Sequence, residues 1–562
     1  MTRRPARWAL LVLLASLAFS VPSQQFSSLH CDISYTAEDA PFVVELGRSA
    51  ERAYAEWAPW WGRALPGRLQ IVVYPSSLDL AQSAGTTAGR LRGDPYTDSS
   101  GVVNFISPRD GWRSRTLLYE STLPHEIGHA FMNRVVPGGA AVPRWFAEGL
   151  ADTIPSVKSM SRPEDLLRDA ALSRSLPDIT GGKAQSERLF YAASTAFVSW
   201  VRSSGGDGAF RSFLSRVASG KPFETAFTDT YQKAPADAYF QWINDLSESY
   251  LKKLSGFPLT PAARLIYNKN PVLSFITAGN GLILNLPRGN DLYYYDPQHS
   301  YIVNITQTPY DFEVDADYSG GLVVYSSSRR DENFDLWESN LKGEEVRPLV
   351  LARGGSFSPR INPLHPDEVV FTGAASGNSD LYLHRGSDTL QLTRSPDEDV
   401  GPVWSSSGDA VYFLHRTATT SEAYRLDLGT LALASTPFKG YVKRLSPNPM
   451  ADSIAFIGET DSGDDLYLYD WSTSALRRLT TDGARKEEVE WSRSGKTFAF
   501  NEEAAGQLDL FLYRLSDDVA QRLTNTAYDE VNLKWDGKGN LYFLSGESWN
   551  RAVYRLSPVG GR

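Results

Sequence analysis

The stretch Thr122-Leu123-Pro124-His125-Glu126-Ile127-Gly128-His129-Ala130 is the segment around which the first half of this 562-residue chain is organised. If the segment is helical, His125 and His129 lie four residues apart on one face, where two imidazoles can hold one metal ion. Glu126 lies beside them, in the position of a base that acts on water. The alternative is a surface helix with an incidental histidine pair. Because the chain has only seven histidines, a chance match to this spacing is improbable.

A second helical stretch, Pro143–Asp152 (PRWFAEGLAD), supplies a candidate third ligand. Glu148 follows His129 by 19 positions, and a catalytic zinc takes three protein ligands and keeps a fourth position for water. Asp152 lies one turn beyond Glu148, where its carboxylate can accept a hydrogen bond from a ligating histidine and fix its tautomer. The alternatives are a solvated helix glutamate at Glu148 and a plain surface or capping carboxylate at Asp152.

Together, H-E-x-x-H and W-F-x-E-G-L-A-D resemble the motifs of gluzincin zinc metallopeptidases, in particular the compact peptidase MA-like domains of bacteria. The resemblance spans roughly residues 35–255. It implies one catalytic Zn²⁺ held by His125, His129 and Glu148, with Glu126 as the general base. Related domains carry a tyrosine that can face the oxyanion, and Tyr191 is the candidate here. The alternative for Tyr191 is that its ring packs in a helix interface.

Hydrophobic periodicity predicts an α+β architecture for this first half. The motif helix is expected to end at Gly138-Gly139, and another helix is expected from Ser186 to about Val201. Further expected elements are an amphipathic helix over Pro41–Trp57, strands over Arg68–Tyr74 and Gly101–Ile106, and helices near 210–217, 223–228 and 236–254.

Beyond Leu259-Thr260-Pro261 the helical pattern stops and a repeat begins. An aromatic strand such as Asp380-Leu-Tyr-Leu or Asp465-Leu-Tyr-Leu-Tyr recurs every 42 to 45 residues. Several copies are followed by Leu-Thr or Ile-Thr, and three are preceded by a tryptophan–glycine turn. The turns are Trp404–Gly408, Trp491–Gly495 and Trp535–Gly539.

A period near 43 residues with turn-rich gaps predicts four-stranded β-propeller blades. The pattern resembles TolB-like propellers, although the usual proline is absent from the three turns. The tryptophan and glycine positions are interpreted as packing and turn chemistry. Seven units are counted, with a six-bladed ring as the alternative. The last unit is one strand short, and Ala263–Asn268 is expected to supply that outer strand and close the ring.

Composition limits the function classes. A net charge of -10 argues against nucleic acid as a partner, because phosphate binding needs basic patches. The single cysteine, Cys31, excludes an intrachain disulfide.

The basic residues before the apolar run Trp8–Phe19 predict a signal peptide over residues 1–20, with a retained anchor as the alternative. No later stretch reaches transmembrane length, so we expect export to the periplasm or the extracellular space of a bacterium.

The sequence therefore predicts a signal peptide (1–20), a gluzincin-like zinc metallopeptidase domain (21–257) and a TolB-like propeller (258–562). The expected substrate is a peptide or protein, and the propeller is expected to control substrate access or to bind a protein partner. The chain has no G-x-S-x-G nucleophile elbow, so it lacks the signature of a serine hydrolase. The alternative function is a non-catalytic propeller scaffold whose zinc domain is vestigial or structural.

Overall fold

The computed structural model describes residues 22–84, 94–110, 115–138, 141–153, 164–181, 186–254, 263–287, 289–308, 311–330, 334–352, 354–417 and 419–557. The expected signal peptide lies outside these residues. Among the described helices, none has both the length and the apolarity that crossing a membrane requires.

A five-stranded sheet forms one side of the N-terminal region. Its spatial order is β1-β2-β3-β5-β4, in which β2, β3 and β5 are parallel neighbours and both edge strands are antiparallel. The alternating apolar residues of the central strand predict a half-buried sheet position, and Leu69, Ile71 and Val73 are indeed buried. The strands are β1 Gln24–Ser27, β2 Cys31–Tyr35, β3 Leu69–Tyr74, β4 Tyr96–Thr97 and β5 Val103–Ile106.

Helices form the rest of the N-terminal region and share one aromatic-rich core with the sheet. They are α1 Ala40–Trp61, α2 Ser77–Ser83, α3 Arg115–Leu117, α4 Leu123–Val135, α5 Arg144–Thr153, α6 Glu164–Leu172, α7 Glu187–Ala218, α8 Phe223–Tyr231 and α9 Pro235–Leu254. The expected strands and longer helices are present, and α7 is longer than expected because its backbone resumes helical geometry after Gly206. The sequence reading missed β1, β2, β4, α2 and α6.

Helix α4 carries the H-E-x-x-H segment and follows a π-helical turn over Leu118–Thr122. Pro124 is the second residue of the helix, which begins directly after this π-helical turn. The helix ends at Val135 rather than at the glycine pair, because Val136, which precedes Pro137, is extended.

Two glycines set the positions of the motif helices. A Cβ on Gly128 would lie 2.3 Å from the Trp57 ring, and one on Gly149 would lie 2.4 Å from the Ser194 carbonyl oxygen. Trp57 is fully buried and donates a hydrogen bond of 2.9 Å to the Pro124 carbonyl. The glycines of H-E-I-G-H and F-A-E-G-L therefore let α1 pack closely on α4, and α7 on α5.

The C-terminal region is a propeller of seven four-stranded blades within the described residues. Blades 1 to 3 are β7 Ser274–Ala278, β8 Gly281–Asn285, β9 Leu292–Asp296 and β10 Tyr301–Asn304; β11 Glu313–Ser319, β12 Leu322–Ser327, β13 Asp335–Asn340 and β14 Arg347–Val350; β15 Ser356–Ile361, β16 Glu368–Gly373, β17 Asp380–Arg385 and β18 Asp388–Gln391. Blades 4 and 5 are β19 Glu398–Trp404, β20 Ala410–Arg416, β21 Ser421–Asp427 and β22 Leu433–Ser435; β23 Tyr441–Pro447, β24 Ser453–Thr460, β25 Gly463–Asp470 and β26 Ala475–Arg478.

Blade 6 is β27 Lys486–Trp491, β28 Thr497–Ala504, β29 Gln507–Arg514 and β30 Val519–Arg522. Blade 7 combines β31 Val531–Trp535, β32 Leu541–Ser545 and β33 Ala552–Leu556 with β6 Arg264–Tyr267. Strand β6 pairs antiparallel with β33, so the expectation that residues near 263–268 supply the missing outer strand is confirmed. This pairing joins the two ends of the propeller and covers what would be an open sheet edge.

The repeated tryptophans join neighbouring blades. The indole N–H of Trp404 donates to the carbonyl of Arg360, that of Trp491 to Ser446, and that of Trp535 to Glu490, at 2.8, 3.1 and 3.0 Å. Each acceptor belongs to the preceding blade. The interpretation of these positions as packing chemistry is therefore confirmed.

The recurring Asp-Leu and Leu-Thr pairs form a buried hydrogen-bond unit inside a blade. In blade 5, the Thr480 hydroxyl donates to Asp465 at 2.9 Å and accepts from the backbone N–H of Leu466 at 3.0 Å. The repeat thus satisfies buried polar groups where the third and fourth strands meet.

Candidate metal centre

Helices α4 and α5 bring three candidate metal ligands together. Nε2 of His125 lies 3.1 Å from Nε2 of His129 and 3.5 Å from Oε2 of Glu148. Nε2 of His129 lies 3.3 Å from the same Glu148 oxygen. Among the described residues this trio is the cluster of histidine, cysteine and carboxylate atoms close enough to share an ion.

The trio fits a zinc ion on donor type and spacing. Two imidazole nitrogens and one carboxylate oxygen form a donor set of catalytic zinc sites. Zinc–ligand bonds of 2.0 to 2.1 Å in a tetrahedron place the donor atoms about 3.3 Å apart, which matches the three observed separations. The three side chains keep 16 to 19% of their surface exposed, so water can reach a fourth position.

Asp152 contacts His125 at Nδ1, the ring nitrogen that does not face the other two ligands. Its Oδ1 lies 2.6 Å from Nδ1 of His125, and its Oδ2 accepts a hydrogen bond of 3.1 Å from the Thr195 hydroxyl. An acceptor at Nδ1 places the ring proton there and leaves the Nε2 lone pair facing the trio. This is the geometry expected of Asp152 from the sequence, and Thr195 is an additional residue that the sequence did not single out.

The close packing of the trio shifts the pKa values of His125 and Glu148. Burial opposes a charge on His125, but hydrogen bonds with Asp152 and Glu148 raise its pKa to about 10. Burial also opposes a charge on Glu148, yet hydrogen bonds from His125 and His129 lower its pKa to about 2. A metal ion that binds here would displace the additional proton of His125 from Nε2, while the proton on Nδ1 beside Asp152 would stay.

Glu126 is buried, and its carboxylate is held by a residue that sequence reasoning missed. The Thr97 hydroxyl lies 2.8 Å from Oε2 of Glu126 and 2.8 Å from its backbone oxygen. Burial raises the pKa of Glu126, while His125 and His129 lower it. Thr97 belongs to the two-residue strand β4 on the sheet edge, which is too short to leave a periodic signal in the sequence.

Tyr191 lies on α7 and is half-buried beside Arg144. The Arg144 guanidinium carbon is 5.7 Å from the centre of the Tyr191 ring, and its Nε is 3.9 Å from Oε1 of Glu148. Burial and the negative charge of Glu148 raise the pKa of the Tyr191 hydroxyl, so the phenol keeps its proton. Arg144 also pairs with Glu187 at 2.6 Å and thereby links α5 to α7.

No protein-family model and no curated protein matches this chain. Solved structures similar to it include TolB from Acinetobacter baumannii, with 15% identity, a TM-score of 0.32, and coverage of 50% of this chain and 78% of that one. The β-propeller domain of the trilobed protease from Pyrococcus furiosus has 11% identity, a TM-score of 0.40, and coverage of 53% and 97%. The acylaminoacyl peptidase of Pyrococcus horikoshii has 12% identity, a TM-score of 0.40, and coverage of 51% of each chain.

The sheet topology of this chain by itself defines a β-propeller. The description of the metal centre depends on its own geometry.

Proposed function

We propose that this protein is an exported zinc-dependent peptidase, with a metallopeptidase domain over residues 21–257 and a propeller over residues 258–562. The observation that carries the proposal is the trio of His125, His129 and Glu148 with mutual separations of 3.1 to 3.5 Å. The buried carboxylate of Glu126 belongs to the same helix as both histidines. A purely structural zinc site takes four protein ligands and has no use for such a base.

When bound, zinc supplies a Lewis acid that acidifies water and polarises the scissile carbonyl. Glu126 takes a proton from the attacking water and later gives it to the leaving amine. Burial supports both steps, because a raised pKa makes the carboxylate a stronger base and its protonated form easier to reach. The hydroxyl of Thr97 holds one carboxylate oxygen of Glu126 and thereby fixes its orientation.

Tyr191 has the chemistry of an oxyanion donor. Its hydroxyl stays protonated at neutral pH and can donate a hydrogen bond to charge that develops on the tetrahedral intermediate. Arg144 keeps the ring beside Glu148 and adds a positive charge at this side of the centre. The proposed roles are therefore metal ligation by the trio, base catalysis by Glu126 and oxyanion stabilisation by Tyr191.

The test compares the metal content and peptide-library cleavage of the wild type with those of three variants. Glu126→Gln is expected to keep one zinc per chain and to lose at least a hundredfold in cleavage rate, the usual effect of removing a general base. His129→Ala is expected to lose the metal. Glu224→Gln changes an exposed glutamate on α8 and serves as the control, with unchanged zinc content and rate.

Full cleavage by the Glu126→Gln protein would overturn the mechanism. Zinc in the wild type without cleavage of any peptide would instead favour the scaffold alternative.

A further inference from the structure

A cavity of about 1560 Å³, which we call the channel, lies between the helical region and the propeller, and Asp152 and Tyr191 beside the metal centre belong to its wall. Its wall includes Asp152, Tyr191 and Thr195 on the helical side and residues from the inner strand of every blade on the other side. This volume exceeds the 300 to 1,000 Å³ that is typical of small-molecule pockets. The cavity therefore has room for an extended segment of chain.

The contacts between the helical region and the propeller show how the inner strands run along the channel. The first residue of β19, Glu398, accepts a hydrogen bond of 2.8 Å from the backbone N–H of Arg115. Arg485, directly before β27, lies 3.6 Å from Glu164 at the start of α6. The inner strands thus begin at the helical region and run away from it. They end at Trp404, Trp491 and Trp535, which line the same cavity.

The helical region is fixed to the propeller on two opposite sides of this channel. On blades 6 and 7, the buried Arg168 of α6 bonds Asp529 at 2.6 Å, and Asp169 accepts from the backbone N–H of Ser548 at 2.8 Å. On blade 4, Arg115 makes the contact with Glu398. Breaking a buried ion pair is expensive, so we expect the two regions to behave as one body that holds the channel beside the metal centre.

The acidic and the basic side chains along the channel differ in how many of their hydrogen-bonding groups remain unpaired. All nine acidic residues that line the cavity already accept hydrogen bonds. On blade 2, for example, Asp315 and Asp317 accept from backbone N–H groups of the next blade at 3.1 and 2.8 Å. These acids have little capacity left for a ligand.

Three arginines on consecutive blades form a basic sector of the channel wall: Arg360 on blade 3, Arg416 on blade 4 and Arg444 on blade 5. Within the described part of the chain, none of the three guanidinium groups pairs with a carboxylate. The guanidinium of Arg360 donates a hydrogen bond of 2.7 Å to the carbonyl of Pro359. Nε of Arg416 is buried and has no hydrogen-bond partner there. Guanidinium donors left unmatched in a cavity call for an acceptor, and carboxylates match their geometry.

From these features we infer that the channel takes up extended peptides with acidic side chains, which the basic sector holds on the way to the metal centre. An inner strand of six or seven residues is roughly 20 Å long, and an extended peptide of about six residues spans that length. A polynucleotide carries a phosphate at every residue and would place several of them against the nine channel carboxylates, whereas a peptide can place its acidic side chains at the basic sector alone, so the charges favour a peptide. The inference rests on the proposed function for its outcome, but binding itself needs no catalysis.

The experiment measures binding of fluorescent 12-residue peptides to the full-length Glu126→Gln protein by anisotropy. One peptide carries four glutamates, and two matched peptides carry glutamine or lysine at those positions. We expect the glutamate peptide to bind at least tenfold more tightly than the glutamine peptide. The double variant Arg416→Gln/Arg444→Gln is expected to weaken it at least fivefold. Arg394→Gln, which removes an exposed arginine outside the cavity, is expected to leave it unchanged.

A photoreactive group on the glutamate peptide is expected to cross-link to inner-strand residues, as mapped by mass spectrometry. Equal binding of the glutamate and glutamine peptides, cross-links confined to the outer surface, or complete displacement by an equimolar single-stranded oligonucleotide would each overturn the inference. If the acidic peptide binds in the channel but the wild type never cleaves it, the proposed function fails and the inference stands. If the wild type cleaves all three peptides equally, the inference fails and the proposed function stands.

Discussion

The contact between Asp152 and His125 makes a quantitative prediction about metal affinity. At 2.6 Å, Oδ1 of Asp152 forms a short, charge-assisted hydrogen bond with Nδ1 of the histidine. Partners of this kind orient the ligand ring and raise its basicity, and their loss commonly weakens metal binding 10- to 100-fold, or about 1.4 to 2.7 kcal/mol. Asp152→Asn keeps an acceptor but loses the charge, so we expect about a tenfold rise in the zinc Kd. Asp152→Ala loses both, and we expect a rise nearer a hundredfold.

The assay is a competition titration against a fluorescent zinc chelator at fixed pH, with circular dichroism to verify folding. Thr195→Val is the graded control. It removes only the 3.1 Å hydrogen bond to the other carboxylate oxygen, so its effect is expected to be smaller than that of either Asp152 variant. Zinc Kd values within twofold of the wild type for both Asp152 variants would refute this account of the site.

Two further predictions concern stability. Burial raises the pKa of Glu313 to about 7, above its ordinary value, so its stabilising contribution is complete below about pH 4.5 and is lost as the pH rises through 7. In urea unfolding from pH 5 to 8, Glu313→Gln is expected to remove a pH dependence of up to about 3 kcal/mol, and parallel wild-type and variant curves would contradict this. Asp529→Asn leaves Arg168 buried with Asp169 as its remaining partner and is expected to cost about 3 kcal/mol by calorimetry, whereas the exposed control Asp517→Asn is expected to be neutral; equal melting temperatures for both variants would contradict it.

The parts of the molecule that could be predicted from the sequence share one property, a local pattern. The spacing of His125 and His129 encodes their common helix face, and the repeat near 43 residues encodes the blades. The seventh blade could also be completed, because one strand was missing at the end of the repeat and one was left over at its start. Helix geometry then placed Asp152 one turn from Glu148, as expected.

The features that could not be predicted depend on contacts between distant segments. Thr97 reaches Glu126 from a two-residue edge strand, and no periodicity marks so short an element. Helix α6 reads as an ordinary polar stretch, yet it buries Arg168 and Asp169 against the propeller. The channel follows from the docking of two regions, which no single segment encodes. The end of α4 was misplaced because Pro137 acts before the glycine pair is reached.

The pairing of β6 with β33 has a consequence for biosynthesis. A polypeptide leaves the ribosome from its N-terminus, so β6 is the first propeller strand to emerge and its partner is the last. Joining ends separated by nearly 300 residues carries a loop-closure cost on the order of 5 kcal/mol, which the chain meets only when its C-terminal residues are available. Until then, the nascent propeller has a free strand at each end and contacts of long sequence separation still to form. The helical region is complete before β6 emerges, so it can fold during that interval. It then provides the surface on which the finished propeller docks.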